Sequence, residues 1–157
     1  VWFVKDIKLV DNANSEISAL SEFDPRREAL VDQKFAGKIL KKEMSASPDD
    51  TIYLESYKPN FLTYRSSSKE DRFAVFSEIY YPAGWNAFID NKPAAYVPAD
   101  YVLRAMSIPA GNHTITFRFE PSSYRIGNSV SLASSVILIL LLLGIALWPV
   151  IKSGKNE

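Results

Sequence analysis

Apolar positions follow two patterns along this chain. Between Thr51 and Glu120 they alternate with polar ones every second residue; from Val130 to Ile151 they run together. Ile52, Leu54 and Ser56 alternate with Tyr53, Glu55 and Tyr57. Phe61, Thr63 and Arg65 alternate with Leu62, Tyr64 and Ser66, and Phe73, Val75, Ser77 and Ile79 with Ala74, Phe76, Glu78 and Tyr80. Val102, Arg104, Met106 and Ile108 alternate with Leu103, Ala105 and Ser107. The cleanest case is His113–Glu120, with Ile115, Phe117 and Phe119 on one face. A period of two predicts strands with one face on a core and the other in water. Pro59-Asn60, Ser66–Asp71, Pro82-Ala83-Gly84 and Pro109–Asn112 mark the turns between them. Trp85–Ile89 reads as a short strand, Asp90–Pro93 as a tight turn and Ala94–Val97 as the returning mate.

The N-terminal third is less regular. Val1–Val10 is rich in β-branched and aromatic residues and predicts one strand. Asp11–Asn14 offers helix caps, and Ser15–Glu22 predicts a short helix with Ile17 and Leu20 on one face. Pro25 stops it, because the residue before proline is pushed out of helical dihedrals. Arg26–Asp32 fits a short strand, and Phe35–Asp50 a strand remnant around Ile39 and Leu40 followed by a loop. Lys38, Lys41 and Lys42 in this loop read as a solvated edge rather than a binding patch. Seven or more short strands with turns between them imply a mainly β fold, an antiparallel sandwich or barrel, and the expectation taken is a β-sandwich with a short N-terminal helix.

No charged residue lies between Arg125 and Lys152. A bilayer core takes about 20 apolar helical residues, and the segment 126–151 supplies them around the block Val136–Leu143. Trp148 suits a membrane interface, and Pro149 falls in the last turn, where it is tolerated. The expected organisation is a β-sandwich domain over 1–125, a transmembrane helix over 126–151 and a tail over 152–157. Lys152 and Lys155 put the tail in the cytoplasm by the positive-inside rule, which leaves the domain extracytoplasmic at the inner membrane. Small residues Ser131, Ser134, Ser135 and Gly144 suit close packing against other membrane helices. The chain begins with Val1 and shows no signal peptide, so the simplest expectation is the C-terminal piece of a longer membrane protein.

Composition narrows the chemistry. The formal net charge of zero suggests no nucleic-acid partner. Cysteine is absent and His113 is the single histidine, so no His/Cys zinc site and no disulfide framework are expected. No nucleophile elbow, phosphate-binding loop or dinucleotide fingerprint occurs, and no cofactor is implied. Glu78, Asp90 and Asp100 supply carboxylates, but their spacing does not specify a glycosidase pair. The densest polar-aromatic cluster is Ser77–Asp90. Within it Glu78, Tyr80, Tyr81, Trp85 and Asp90 are the candidate substrate-binding residues, with aromatic faces to stack on sugar rings and polar groups to bond hydroxyls. The competing expectation is that Tyr80 and Trp85 plug the end of the sandwich.

Ser77–Asp90, with Tyr57-Lys58-Pro59-Asn60, Pro109–His113, Trp2-Phe3-Val4, Asn12–Ile17 and Phe23–Arg26, resembles the C-terminal end of bacterial YfhO-family membrane proteins. The resemblance covers nearly the whole chain and rests on the order and spacing of these segments together. It implies a polytopic parent similar to the GT-C glycosyltransferases, which move a sugar from a polyprenyl-phosphate carrier to a cell-envelope polymer or lipid. Their catalytic acid belongs to an early extracytoplasmic loop, so no catalytic residue is carried over to this chain. Two functions are weighed on this basis. The first is a non-catalytic extracytoplasmic accessory domain of a lipid-linked-sugar glycosyltransferase. The second is a membrane-anchored carbohydrate-binding or adhesion module without enzymatic activity. Expected partners are the lipid bilayer, the parent's other membrane helices, and a polyprenyl-linked sugar or envelope glycan.

Overall fold

The computed structural model describes residues 1–40, 43–45 and 47–153, without the side chains of residues 122, 125 and 146–153. Lys41 and Lys42 of the basic cluster, the tail's Lys155 and the side chains of Trp148, Pro149 and Lys152 lie outside what is described. The chain divides into two compact units, 1–119 and 120–157.

The first unit is mainly β. Its strands are β1 (Trp2–Val4), β2 (Asp6–Val10), β3 (Glu28–Asp32), β4 (Thr51–Lys58), β5 (Phe61–Ser68), β6 (Arg72–Ile79), β7 (Trp85–Ile89), β8 (Lys92–Ala94), β9 (Val97–Ala99), β10 (Leu103–Ile108) and β11 (Gly111–Phe119). Helix α1 spans Ala13–Ala19, capped by Asn12, whose side chain accepts the Ser15 N–H. Two antiparallel sheets form the sandwich, in the orders β1-β6-β10-β9 and β4-β5-β11-β7-β8. Their shared core holds Leu62, Tyr64, Ala74, Phe76, Ala87, Met106, Ile108, Ile115 and Phe117. Tyr64, Phe76 and Phe117 meet edge to face at centroid distances of 4.9, 5.0 and 6.1 Å.

A third layer departs from the simple sandwich. The sequence expects one strand over Val1–Val10, but the chain bends at Lys5, where the N–H groups of Lys5 and Asp6 both donate to Arg27 O. β1 stays in the four-stranded sheet, while β2 pairs in parallel with β3. This pair and the residues after it cover the outer face of the four-stranded sheet. Ile7, Ala29, Val31 and Met44 pack there on Phe73, Val75 and Ala105. β6 is therefore buried on both faces from Arg72 to Phe76, and its alternation separates two cores rather than core from water. Two further expectations are corrected. Ile39 and Leu40 form no strand; they follow a 3-10 turn over Gln33–Lys38, where Ile39 N–H donates to Ala36 O. Ala94–Val97 is not one strand either. β8 pairs with β7, and β9 starts at Val97 and pairs with β10 in the other sheet.

The second unit holds α2, Ser122–Ser153. Its segment Ile126–Ile145 has a mean hydropathy of 2.2 with no part buried, and is long and apolar enough to cross a membrane. The hydroxyls of Ser134 and Ser135 donate to the carbonyls of Val130 and Ser131, which satisfies both within the helix.

Candidate functional site

The site is built at one end of the sandwich, where β6 ends, β10 begins, β7 begins and β11 ends. Leu103 pairs with Ile79, and Phe119 with Trp85. The register there is irregular. Arg104 pairs with Phe76 and Leu103 with Ile79, so one step on β10 spans three on β6, and Ser77 and Glu78 are extra. Such a bulge re-aims side chains beside binding sites. Arg104 bridges it, its Nε donating to Ile79 O at 2.8 Å.

Arg104 occupies the apolar face of β10, in line with Met106 and Ile108, and only 3% of it is exposed. Its guanidinium lies over Trp85 at 4.4 Å and over Phe117 at 5.1 Å from the ring centroids. Cation–π attraction offsets part of the desolvation cost of a buried charge. Burial lowers its proton affinity, and the negative field of Glu78 with the hydroxyls of Tyr96, Tyr64 and Tyr57 opposes that shift. Its Nη1 is buried and has no hydrogen-bond partner among the described residues.

The tyrosines close around this charge. Burial pushes the Tyr64 hydroxyl up to about 12, and Glu78 adds to the shift. Burial also raises Tyr80 and Tyr96. Tyr96 donates to Trp85 O at 2.9 Å, and its ring meets Tyr80 at 5.2 Å and Phe117 at 5.6 Å. All these phenols remain neutral donors at physiological pH. The Pro82–Gly84 turn passes close beneath: a Cβ on Gly84 would lie 2.5 Å from the Phe119 ring, which tilts on Trp85 at 5.3 Å. A glycine is required there for space, not for its dihedrals.

Four of the five sequence-selected residues converge here. Glu78 is half-buried on the bulge, Tyr80 half-buried against Tyr96, Tyr81 exposed, and Trp85 half-buried between Arg104 and Phe119. With Arg104 over its ring and Phe119 tilted against it, Trp85 is a wall of the site, while Tyr81 presents an open ring. Asp90 lies at the other end of β7. Its carboxylate accepts the Thr114 N–H at 2.9 Å and contacts His113 Nδ1 at 2.6 Å. The Thr114 N–H, then His113, hold its acidity below the usual carboxylate range. Sequence reasoning missed Arg104, although a charge on the apolar face of a strand was the signal. It also missed Glu16, which lies on α1 and acts only through tertiary contact.

A separate groove of about 560 Å3 runs between β1 and the start of β4, with the buried Arg72–Asp50 ion pair in its lining. None of the five selected residues lines it. Among the described residues no group of three or more acidic or histidine side chains is placed to hold a metal.

The model of a family described as "Bacterial membrane protein YfhO" matches residues 33–131, from the 3-10 turn through the first apolar turns of α2. No curated protein and no solved structure matches the chain.

Proposed function

This chain belongs to the YfhO family of bacterial membrane proteins, and from that membership we propose that it serves as a non-catalytic extracytoplasmic accessory domain, with its membrane helix, of a lipid-linked-sugar glycosyltransferase of the cell envelope. In this reading the end of the sandwich binds the glycan being transferred or extended. Tyr81 offers the stacking face, Glu78 accepts hydroxyl hydrogen bonds, Tyr80 adds a phenol, and Trp85 holds Arg104 in place. The observation that carries it is the placement of Glu78, Tyr80, Tyr81 and Trp85 at one end of the sandwich, where Trp85 packs on the buried Arg104 guanidinium, Glu78 acts on its charge, and Tyr80 and Tyr81 adjoin Tyr96. Binding sites of this kind combine apolar and aromatic walls with a few placed polar groups.

The test is an NMR titration of the full chain in lipid nanodiscs with envelope oligosaccharides and polyprenyl-linked glycans. Resonances of Glu78, Tyr80, Tyr81 and the Arg104 side chain are expected to shift, with Asp90 and His113 unmoved. A folded chain whose resonances stay still, or shift only around Asp90, sinks the reading. Tyr81→Ala in the parent protein separates the two functions: lost glycan transfer supports the accessory role, and lost binding with normal transfer supports a carbohydrate-binding or adhesion module.

A further inference from the structure

We propose that the same end of the domain carries a bilayer-docking rim, formed by Ile79, Tyr81, Tyr101 and Val102, that inserts into the headgroup layer of the membrane. These four side chains are 69, 53, 45 and 47% exposed. They come from two neighbouring segments, since Tyr80 N–H donates to Val102 O at 2.7 Å and Ile79 pairs with Leu103. The loops at the opposite end, around 69–71, 90–91 and 110–112, expose no large apolar side chain among the described residues. Ile17, Leu40, Tyr53, Leu54 and Tyr57 are exposed elsewhere on this unit; the rim joins four such side chains on two hydrogen-bonded segments, and an exposed apolar patch of this kind marks an interaction site.

The backbone under the rim is held in an unfavourable conformation. Asp100 and Tyr101 have φ of 49° and 70°, a region that a bulky aromatic residue seldom adopts. Two buried carboxylates enforce it. Glu16 on α1 accepts the Tyr101 N–H at 2.9 Å, and Asp100 Oδ1 accepts the Leu30 N–H at 2.8 Å. Asp100 N–H in turn donates to Leu30 O at 2.9 Å. The third layer of the fold thus fixes a turn that places Tyr101 and Val102 in solvent. Strain maintained at this cost is characteristic of working surfaces.

Connectivity names the partner. The chain belongs to a family of membrane proteins and has one apolar span among the described residues, and only Glu120 and Pro121 separate β11 from α2. Three extended residues reach about 10 Å, and the four helical residues before Ile126 about 6 Å more. The headgroup region itself is roughly 5–7 Å deep on each side. The end of β11, which is the rim's end of the domain, is thus tied to the first residue of the apolar span by about 16 Å of chain at most. Tyrosine, with an apolar ring and a polar tip, suits that layer. Tyr81 belongs to both the rim and the proposed glycan site, so the rim is tested at Ile79 and Val102, which the glycan reading does not use, and the two proposals fail separately.

The absence of cysteine permits a direct test. Single variants Ile79→Cys, Val102→Cys and, at the opposite end, Asn91→Cys are labelled with an environment-sensitive fluorophore. The full chain is then reconstituted in phosphatidylethanolamine–phosphatidylglycerol vesicles containing lipids with a nitroxide at the headgroup. The labels at 79 and 102 are expected to lose most of their emission to the nitroxide and to be shielded from aqueous iodide, with the reverse at 91. Equal iodide access at all three positions, or nitroxide quenching no stronger at 79 and 102 than at 91, overturns the proposal. Circular dichroism checks the folding of each variant, and the two rim positions provide independent readings.

Discussion

At one end of the sandwich the connections expose Ile79, Tyr81, Tyr101 and Val102; at the other they hold Lys69, Glu70, Asp71, Asp90, Asn91 and Asn112 with the small turn residues Pro109, Ala110 and Gly111. The polar end follows local rules throughout. Asp90 and Asn91 have φ of 49° and 64° in a two-residue hairpin, a turn for which Asp and Asn are suited. Gly111 takes φ of 122°, open to glycine alone. Side chains then tie the turns together: Asp71 accepts the Ala110 N–H at 2.9 Å, and His113 Nε2 faces Ala110 O at 3.2 Å. Both His113 ring nitrogens face oxygen acceptors, so the doubly protonated ring satisfies both. The aromatic end breaks the same rules. It holds a tyrosine at positive φ, buries an arginine that has no paired carboxylate among the described residues, and leaves apolar side chains in solvent. Sequences specify folds by agreement between levels, and departures concentrate where a protein works. On the proposed function the polar end is a clasp and the aromatic end the working surface.

The comparison is broken most severely at Arg104. Arg104→Ala removes the bond to Ile79 O and the packing against Trp85 and Phe117, and should cost roughly 2–4 kcal/mol, read as the shift of a urea unfolding curve. A cost below about 0.5 kcal/mol would show that the guanidinium supports neither the bulge nor the aromatic wall. Next in size is Gly84→Ala. The new Cβ must displace the Phe119 ring, so about 1–3 kcal/mol of destabilisation is expected, with altered tryptophan fluorescence from the disturbed Trp85 stack. An unchanged spectrum and stability would mean that the ring yields freely.

The smallest effects are in pH, where the two ends separate. Burial, with Glu16 adding to it, raises the Asp100 carboxyl to about 6 despite the Leu30 N–H. The folded state then holds more protons than the unfolded one between pH 4 and 6, and stability falls as pH rises through that window. Asp100→Asn keeps the acceptor for Leu30 and removes the buried charge, so it should flatten that slope and raise Tm by about 2–5 °C at pH 7. Asp90 raises the pKa of His113, with Ala110 O assisting against burial. That contribution is fully present below the unfolded value near 6.5 and is lost as pH rises through the folded one. The pair is partly exposed, so His113→Gln should cost less than about 1 kcal/mol at pH 6 and nothing measurable at pH 9. Thermal melts across pH 4–9 check both; a wild-type profile that neither variant alters would refute the assignment.

Much of this fold was legible because strands of period two announce themselves. Trp85–Ile89 has the expected bounds as β7, and β11 and β5 lie within a few residues of theirs. Illegible parts were those that depend on what lies opposite. Lys5 does not mark a bend until Arg27 O arrives to accept two N–H groups. Phe73 and Val75 look half-exposed until β2 and β3 cover them. Of the candidate residues, Glu78, Tyr80, Tyr81 and Trp85 meet because a bulge and a sheet-crossing loop bring them to one end, whereas Asp90, close in sequence, is carried away along β7.

The sequence alone determined the class of the protein: alternation made strands, turn residues divided them, and the uncharged run after Arg125 made a helix long enough for a bilayer. These are local properties, fixed by the period of side-chain direction and by backbone sterics. Tertiary structure alone decided that Arg104 would be buried against Trp85, that Glu16 would hold Tyr101 in a strained turn, and that one end of the domain would gather apolar side chains in solvent. Each of these depends on contacts between residues far apart in the chain, which the local pattern does not encode.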